Sequence, residues 1–144
     1  MLPRMNHHAP TRWLAPWIAG ALAIALATAH AAPATNKFEH AIPNFPGKSL
    51  IAVEVNLAPG ETGRPHHHAR SAFIYAYVIS GTVRSQVEGE PVHDYHAGDS
   101  WYELPGAHHI VSRNPSPSQP AKFLAVFVVD SDDKVLTTLD PSER

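Results

Sequence analysis

The sequence contains no cysteine among its 144 residues. Neither a disulfide framework nor a thiolate metal site can therefore form, and packing has to stabilise the fold. Charge is also scarce, because only 17% of the residues are charged and 13 acidic side chains stand against 11 basic ones. Because the chain lacks the excess of lysine and arginine that is typical of nucleic-acid binding, we expect no nucleic-acid partner.

The first 31 residues have the layout of a secretory signal peptide. Arg4 and Arg12 precede an uncharged, apolar stretch over residues 13–29, which ends in the small-x-small pattern of residues 29–31. We expect cleavage after Ala31, a periplasmic or secreted mature protein, and no stable membrane insertion afterwards. The alternative is an uncleaved membrane anchor, since the stretch is near the minimum length of a spanning helix. Pro16 favours the cleaved peptide.

The rest of the chain predicts an all-β protein without helices. The proline-rich residues 32–48 indicate an extended N-terminal arm, residues 49–130 a β-barrel or a two-sheet jelly roll, and residues 131–144 a polar C-terminal tail. The strands over residues 73–79 and 123–129 are apolar on both faces, so they need cover from a closed barrel, a second sheet or a homodimer interface. We expect a homodimer. Short apolar runs between turn signals predict six strands, over residues 50–57, 73–79, 83–87, 100–104, 108–112 and 122–129.

Histidines are the residues that indicate chemistry. Alternate side chains of a strand share a face, so His66 and His68 project together while His67 points away. Two imidazoles on one wall can share a metal ion at about 2.0–2.1 Å. A third ligand has to come from a remote strand, and alternation allows either His108 or His109 to face inward, but not both.

The stretches over residues 60–81 and 98–114 resemble the paired motifs of the cupin superfamily. Leu104 stands where the second motif has its first proline, and Asn114 falls one place late. The resemblance implies a cupin-type jelly-roll β-barrel that binds one divalent transition metal, and it favours His109 as the third ligand. The matching residues are Gly60, His66, His68 and Gly81 in the first motif, and Gly98, Gly106 and His109 in the second.

The acidic ligand of the first cupin motif is missing, because its place falls within residues 72–74, which are Ala-Phe-Ile. The resemblance then implies a three-histidine site similar to that of thiol-dioxygenase cupins, with open positions for substrate, water or oxygen. Glu103 is a candidate substitute ligand or general base, and Tyr75 is a second candidate catalytic residue. The expected cofactor is an Fe, Mn, Ni, Zn or Cu ion, and no organic cofactor is expected.

Two functions remain open. The first is an exported, metal-dependent, dioxygenase-like enzyme that acts on a small organic molecule. The alternative is a non-catalytic cupin of the cell envelope that binds or senses a metal ion or a small ligand, which the missing glutamate favours, since a fold alone does not establish chemistry.

Overall fold

The computed structural model describes residues 34–141. The predicted signal peptide, residues 1–31, lies outside the described residues. No helix long and apolar enough to cross a membrane occurs in the described part. Its elements are β1 (Ala34–Ala41), β2 (Lys48–Leu57), β3 (His66–His68), β4 (Phe73–Ser80), β5 (Thr82–Val87), β6 (His93–His96), β7 (Ser100–Glu103), β8 (His108–Arg113), β9 (Ala121–Asp130) and β10 (Thr137–Leu139).

The strands form two five-stranded sheets, in the orders β1-β2-β9-β4-β7 and β10-β3-β8-β5-β6. Every paired neighbour is antiparallel. In β9 and β4 every second side chain is buried, so one face of the first sheet faces the second sheet. The all-β prediction is therefore confirmed, and the core lies between the sheets. Its large fully buried apolar side chains are Leu57, Ile74, Val78, Val83 and Val129.

A glycine lets the turn from β4 to β5 approach the start of β9 closely. Gly81 has a φ of +74°, and a Cβ there would lie 2.5 Å from the Pro120 carbonyl oxygen and 2.8 Å from the Ala121 Cα. Both the left-handed backbone and the contact exclude a side chain. The closing glycine of the first motif is therefore required by the packing of β5 against the start of β9.

A buried asparagine holds the proline-rich loop after β8. The Asn114 side chain is 1% exposed, and its amide donates to the carbonyls of Ala58 at 3.1 Å and Gln119 at 2.7 Å. Its own Oδ1 accepts from the Ser116 N–H at 3.0 Å. These bonds satisfy backbone groups that a loop without secondary structure would leave unpaired.

The sequence predicted six strands, and the structure has further strands at both ends of the described chain. The predicted arm contains β1, which pairs with β2 over its whole length although its side chains are exposed. The predicted polar tail contains β10, which pairs with β3. β6, which pairs with β5, was not among the six predicted strands. These strands lack the apolar alternation that predicts burial, because they lie at sheet edges.

The described residues do not cover β4 on both faces. Its outer face leaves Phe73, Tyr75, Tyr77 and Ile79 between 41% and 45% exposed. The two-sided apolar pattern therefore reflects an exposed aromatic surface on one side and the core on the other.

Candidate metal site and cavity

Three histidines meet on the inner wall of the second sheet. β3 and β8 are antiparallel neighbours, and His66 of β3 lies directly opposite His109 of β8. His68 lies two positions from His66 on the same face. One ring nitrogen of each histidine lies within 4.8 Å of the others. The structure thus brings together the three side chains that the sequence singled out as metal ligands.

Strand alternation decides between the two candidate third ligands. His109 is 3% exposed and its ring centroid lies 5.2 Å from that of His66. His108 pairs with His67, and these two rings stack on the opposite face of the same strands. His109 therefore faces the inner cluster and His108 does not.

Glu103 of β7 enters the same cluster from the first sheet. It is 4% exposed, and its Oε1 accepts a hydrogen bond from the Trp101 indole N–H at 3.0 Å. Its Oε2 lies 2.9 Å from Nε2 of His68, and its Oε1 lies 3.5 Å from Nδ1 of His109. The cluster therefore combines three imidazoles with one buried carboxyl group.

The environment fixes the charge of these groups. Burial acts to raise the pKa of Glu103, but the contact with His68, the charges of both histidine partners and the Trp101 N–H outweigh burial and lower it to about 2. Burial lowers the pKa of His109 to about 4 and also lowers the pKa of His66. Near pH 7 the carboxylate is ionised and these two rings are neutral, which are the forms that bind metal ions.

Two neighbours orient the histidine rings. The Nδ1 of His66 donates to the Arg64 carbonyl at 2.9 Å, which leaves its Nε2 lone pair free. The Ser85 hydroxyl and Nε2 of His109 form a buried hydrogen bond at 2.8 Å. Such partners hold metal-binding imidazoles in one orientation.

The cluster opens into a cavity of about 370 Å³ between the two sheets. This volume is within the range of small-molecule pockets. Its walls are mostly apolar, and part of them comes from the C-terminal segment through Leu136 and Leu139. The other apolar side chains that line it include Val53, Val55, Ile74, Phe123 and Phe127.

The comparisons with known proteins agree with this arrangement. The family model for the cupin domain matches residues 53–127, which is more than half of the chain and contains all three histidines. This chain is a cupin. A comparison with curated protein sequences finds no match.

Solved structures support the same fold. A conserved protein with a double-stranded β-helix domain from Klebsiella pneumoniae has a TM-score of 0.60 at 20% identity, over 78% of this chain and 86% of that one. A Cupin 2 conserved barrel domain protein from Salinispora arenicola has a TM-score of 0.52 at 23% identity, over 69% of this chain and 76% of that one. Oxalate decarboxylase from Bacillus subtilis has a TM-score of 0.54 at 29% identity, over 65% of this chain and 24% of that one. This cupin therefore spans about a quarter of the decarboxylase.

The missing acidic residue of the first motif has a counterpart on the neighbouring strand. Ile74, at one of the three positions where the motif places its acid, lies directly opposite Glu103 in the pairing of β4 with β7. Both side chains line the cavity. The site thus contains a carboxylate on the strand next to the one where the motif places it.

Unpaired buried atoms indicate that this cupin site fits a metal ion. Both ring nitrogens of His68 and the Oε2 of Glu103 are buried without a hydrogen-bond partner among the described residues. His68 Nε2 and Glu103 Oε2 approach to 2.9 Å, but they lack the alignment of a hydrogen bond. Buried polar atoms without partners are costly, and a cation between them would satisfy both.

The structure does not bring Tyr75 to the site. Its side chain is 45% exposed on the outer face of β4, because Ile74 and Ala76 occupy the inward positions. Within the described residues, Tyr75 therefore lies on the face of β4 away from the histidine cluster, and its candidate catalytic role stays a prediction.

Sequence reasoning missed Ser85, Trp101 and the C-terminal strand as parts of the site. The sequence placed Trp101 in a predicted strand without a role in the site, and it predicted only a polar tail at the C-terminus. The alternation of β5 and β7 would have placed Ser85 and Trp101 inward, but nothing in the sequence aligns β5 with β8. No local pattern predicts that the polar tail returns to β3.

Proposed function

We propose that this cupin is a metal-dependent enzyme that acts on a small organic molecule in the cavity between its sheets. The observation that carries the proposal is the meeting of three imidazoles and one ionised carboxylate at the wall of an apolar cavity of about 370 Å³. A purely structural histidine cluster needs no such cavity beside it.

His66, His68 and His109 would hold one divalent transition metal, Fe, Mn, Ni, Zn or Cu. When bound, the ion would supply Lewis acidity and open positions for substrate, water or oxygen. Glu103 faces the same point with its free Oε2 and would reduce the net charge of the site. The apolar walls would exclude bulk water and strengthen each electrostatic contact inside.

The cavity favours a substrate with a hydrocarbon body and one polar group that reaches the metal. A dioxygenase-like reaction is our first candidate, because a neutral histidine set leaves the ion most of its charge. The likeness to oxalate decarboxylase at 29% identity supports metal-dependent chemistry on a small carboxylate as well, so oxalate is included in the test.

The test is turnover by protein loaded separately with Fe²⁺, Mn²⁺, Ni²⁺, Zn²⁺ and Cu²⁺. Oxygen uptake and product formation are measured with catechols, flavonols, thiols and oxalate. We expect turnover with at least one pair of metal and substrate, and its loss in His109→Gln. If the protein binds metals tightly but turns over none of these substrates with any of the five metals, the proposal of an enzyme is contradicted.

A non-catalytic binding or sensing protein is the second candidate. The low pKa of Glu103, about 2, favours it because so weak a base removes protons poorly near pH 7. Under this alternative, small ligands perturb the spectrum of the Co²⁺- or Cu²⁺-loaded protein and are recovered unchanged. Chemical conversion of a ligand that perturbs the spectrum would exclude it.

Export and dimerisation are also proposed. The N-terminal charge and apolar pattern supports cleavage near Ala31 and a periplasmic or secreted protein, which mass spectrometry of the mature protein would test. The exposed aromatic face of β4, extended by Tyr102 at 64% exposure, supports a homodimer. Sedimentation of the wild type and of a Tyr75→Ser, Tyr77→Ser variant would test it, and identical monomeric behaviour would contradict the dimer.

A further inference from the structure

A second group of potential ligands lies on the outer wall, behind the inner site. His67 of β3 and His108 of β8 are direct cross-strand partners. Their rings stack with centroids 4.0 Å apart and an angle of 14° between their planes. Cross-strand pairs of this kind place both side chains side by side, so the pair is preorganised by the sheet.

The C-terminal segment delivers a carboxylate to this histidine pair. The Asp140 backbone N–H donates to the Pro65 carbonyl at 3.0 Å, and the Arg64 guanidinium donates to the Asp140 carbonyl. These bonds fix the residue where β10 ends. Its Oδ2 lies 2.8 Å from Nε2 of His108, and its Oδ1 lies 3.8 Å from Nε2 of His67.

The geometry points to a second metal site, which we propose is formed by His67, His108 and Asp140 and takes Zn²⁺ or another ion that prefers imidazole. One ligand atom from each residue lies within 4.8 Å of the others. Ligands at about 2.0–2.1 Å from a tetrahedral Zn²⁺ lie about 3.3 Å apart, and the 2.8 and 3.8 Å separations, which involve different oxygens of Asp140, lie on either side of that value. An ion would replace the hydrogen bond between Asp140 and His108. Because the two ring planes are nearly parallel, one ring has to rotate so that both lone pairs point at the same ion.

A second carboxylate supports this assignment. Glu88 Oε2 lies 3.5 Å from Nδ1 of His108, where it can hold the proton on Nδ1 and leave Nε2 for an ion, as outer carboxylates do at histidine metal sites. The His67 side chain is 54% exposed and that of Asp140 is 29% exposed, so water can complete the coordination. Three protein ligands with water in the fourth position match an open zinc site.

An ion at the outer site would clamp β10 onto β3 and β8. This matters for the inner cavity, because Leu136, Thr137 and Leu139 of the same segment line it. The outer ion would therefore stabilise one wall of the inner pocket without touching it. The two sites use opposite faces of the same strand pair.

The test is the Zn²⁺ stoichiometry of the metal-free full chain, purified without a histidine tag and titrated calorimetrically. We expect two classes of sites in the wild type. His67→Gln and Asp140→Asn should each weaken the second class at least tenfold and leave the first. His66→Gln should impair the first class and leave the second, which separates failure of this proposal from failure of the proposed function.

A matched control is available in His96→Gln, since the exposed His96 lies 3.6 Å from Asp99 but lacks a third ligand. It should leave both classes unchanged. Amide hydrogen exchange supplies a second readout: Zn²⁺ added to His66→Gln should slow exchange in residues 137–140, and Asp140→Asn should abolish that effect. One class of sites in the wild type, or a second class unaffected by both His67→Gln and Asp140→Asn, would overturn the outer site.

Discussion

The two faces of the β3–β8 strand pair carry similar side chains in very different surroundings. On the inner face, His68 and His109 are at most 8% exposed, and so is Glu103, which meets them from β7 of the other sheet. On the outer face, the side chains of His67, His108 and Asp140 are between 19% and 54% exposed. The same chemistry of imidazole and carboxylate is thus presented once in a mostly apolar cavity and once to solvent.

This difference determines what each face can do. Inside, two hydrogen-bond partners orient two of the rings and apolar walls limit contact with water, which suits an ion that has to activate a substrate. Outside, water competes for every ligand position, so an ion there would act mainly as a cross-link between strands. Strand alternation alone creates both environments from the run of three histidines in β3.

The largest difference between the two faces should follow from removing the inward histidine of β8. His109→Gln should weaken metal binding at the inner site at least about 100-fold, because one of three histidine ligands is lost from a preorganised set. Competition with a chromophoric chelator measures the affinity. His108→Gln, one position along the same strand, is the matched control. Equal losses at the inner site in both variants would mean that facing direction does not decide ligation.

The next effect concerns the carboxylate that only the inner face buries. Glu103→Gln should weaken the inner metal site by about 10- to 100-fold while the fold is retained, because the amide preserves shape but not charge. The double variant Ile74→Glu, Glu103→Ile returns the acid to the strand where the cupin motif has it, and it should recover part of the affinity. Unchanged affinity in Glu103→Gln would assign Glu103 a packing role only.

A smaller effect separates the contributions of β10 to the two faces. Ending the chain after Lys134 removes Leu136 and Leu139 from the cavity wall together with Asp140. Chelator should then extract the inner ion about tenfold faster, because one wall is opened to water. Asp140→Asn, which removes only the outer carboxylate, should leave the extraction rate within about twofold when no outer ion is added. Equal rates in the truncated and full chains would show that β10 does not shield the inner site.

The sequence predicted the main strands because alternation is a local signal. Alternation left either His108 or His109 as the inward residue, and the resemblance to the cupin motifs selected His109 to join His66 and His68. Long-range register has no local signal, so the opposition of Ile74 and Glu103 and the return of β10 to β3 emerged only from the structure. The facing direction of Tyr75 was undetermined for the same reason, since β4 is apolar on both sides.

An exposed ion pair should make the smallest contribution to stability among the charged groups compared. Arg84 contacts Asp94 through two hydrogen bonds of 2.6 Å each, and these lower the pKa of Asp94 below its ordinary value of 3.8. Because the folded state releases this proton more readily than the unfolded state, the stabilisation is fully present above about pH 4 and is lost as the pH falls through the lower folded value. Since the side chains are about one third exposed, solvent screening keeps the contribution small. Thermal unfolding of metal-free Asp94→Asn should differ from the wild type by only a few degrees at pH 7 and converge with it as the pH falls through the lowered pKa of Asp94. A loss of melting temperature at pH 7 as large as that measured for metal-free Glu103→Gln would show that burial is not what distinguishes the charged groups of this cupin.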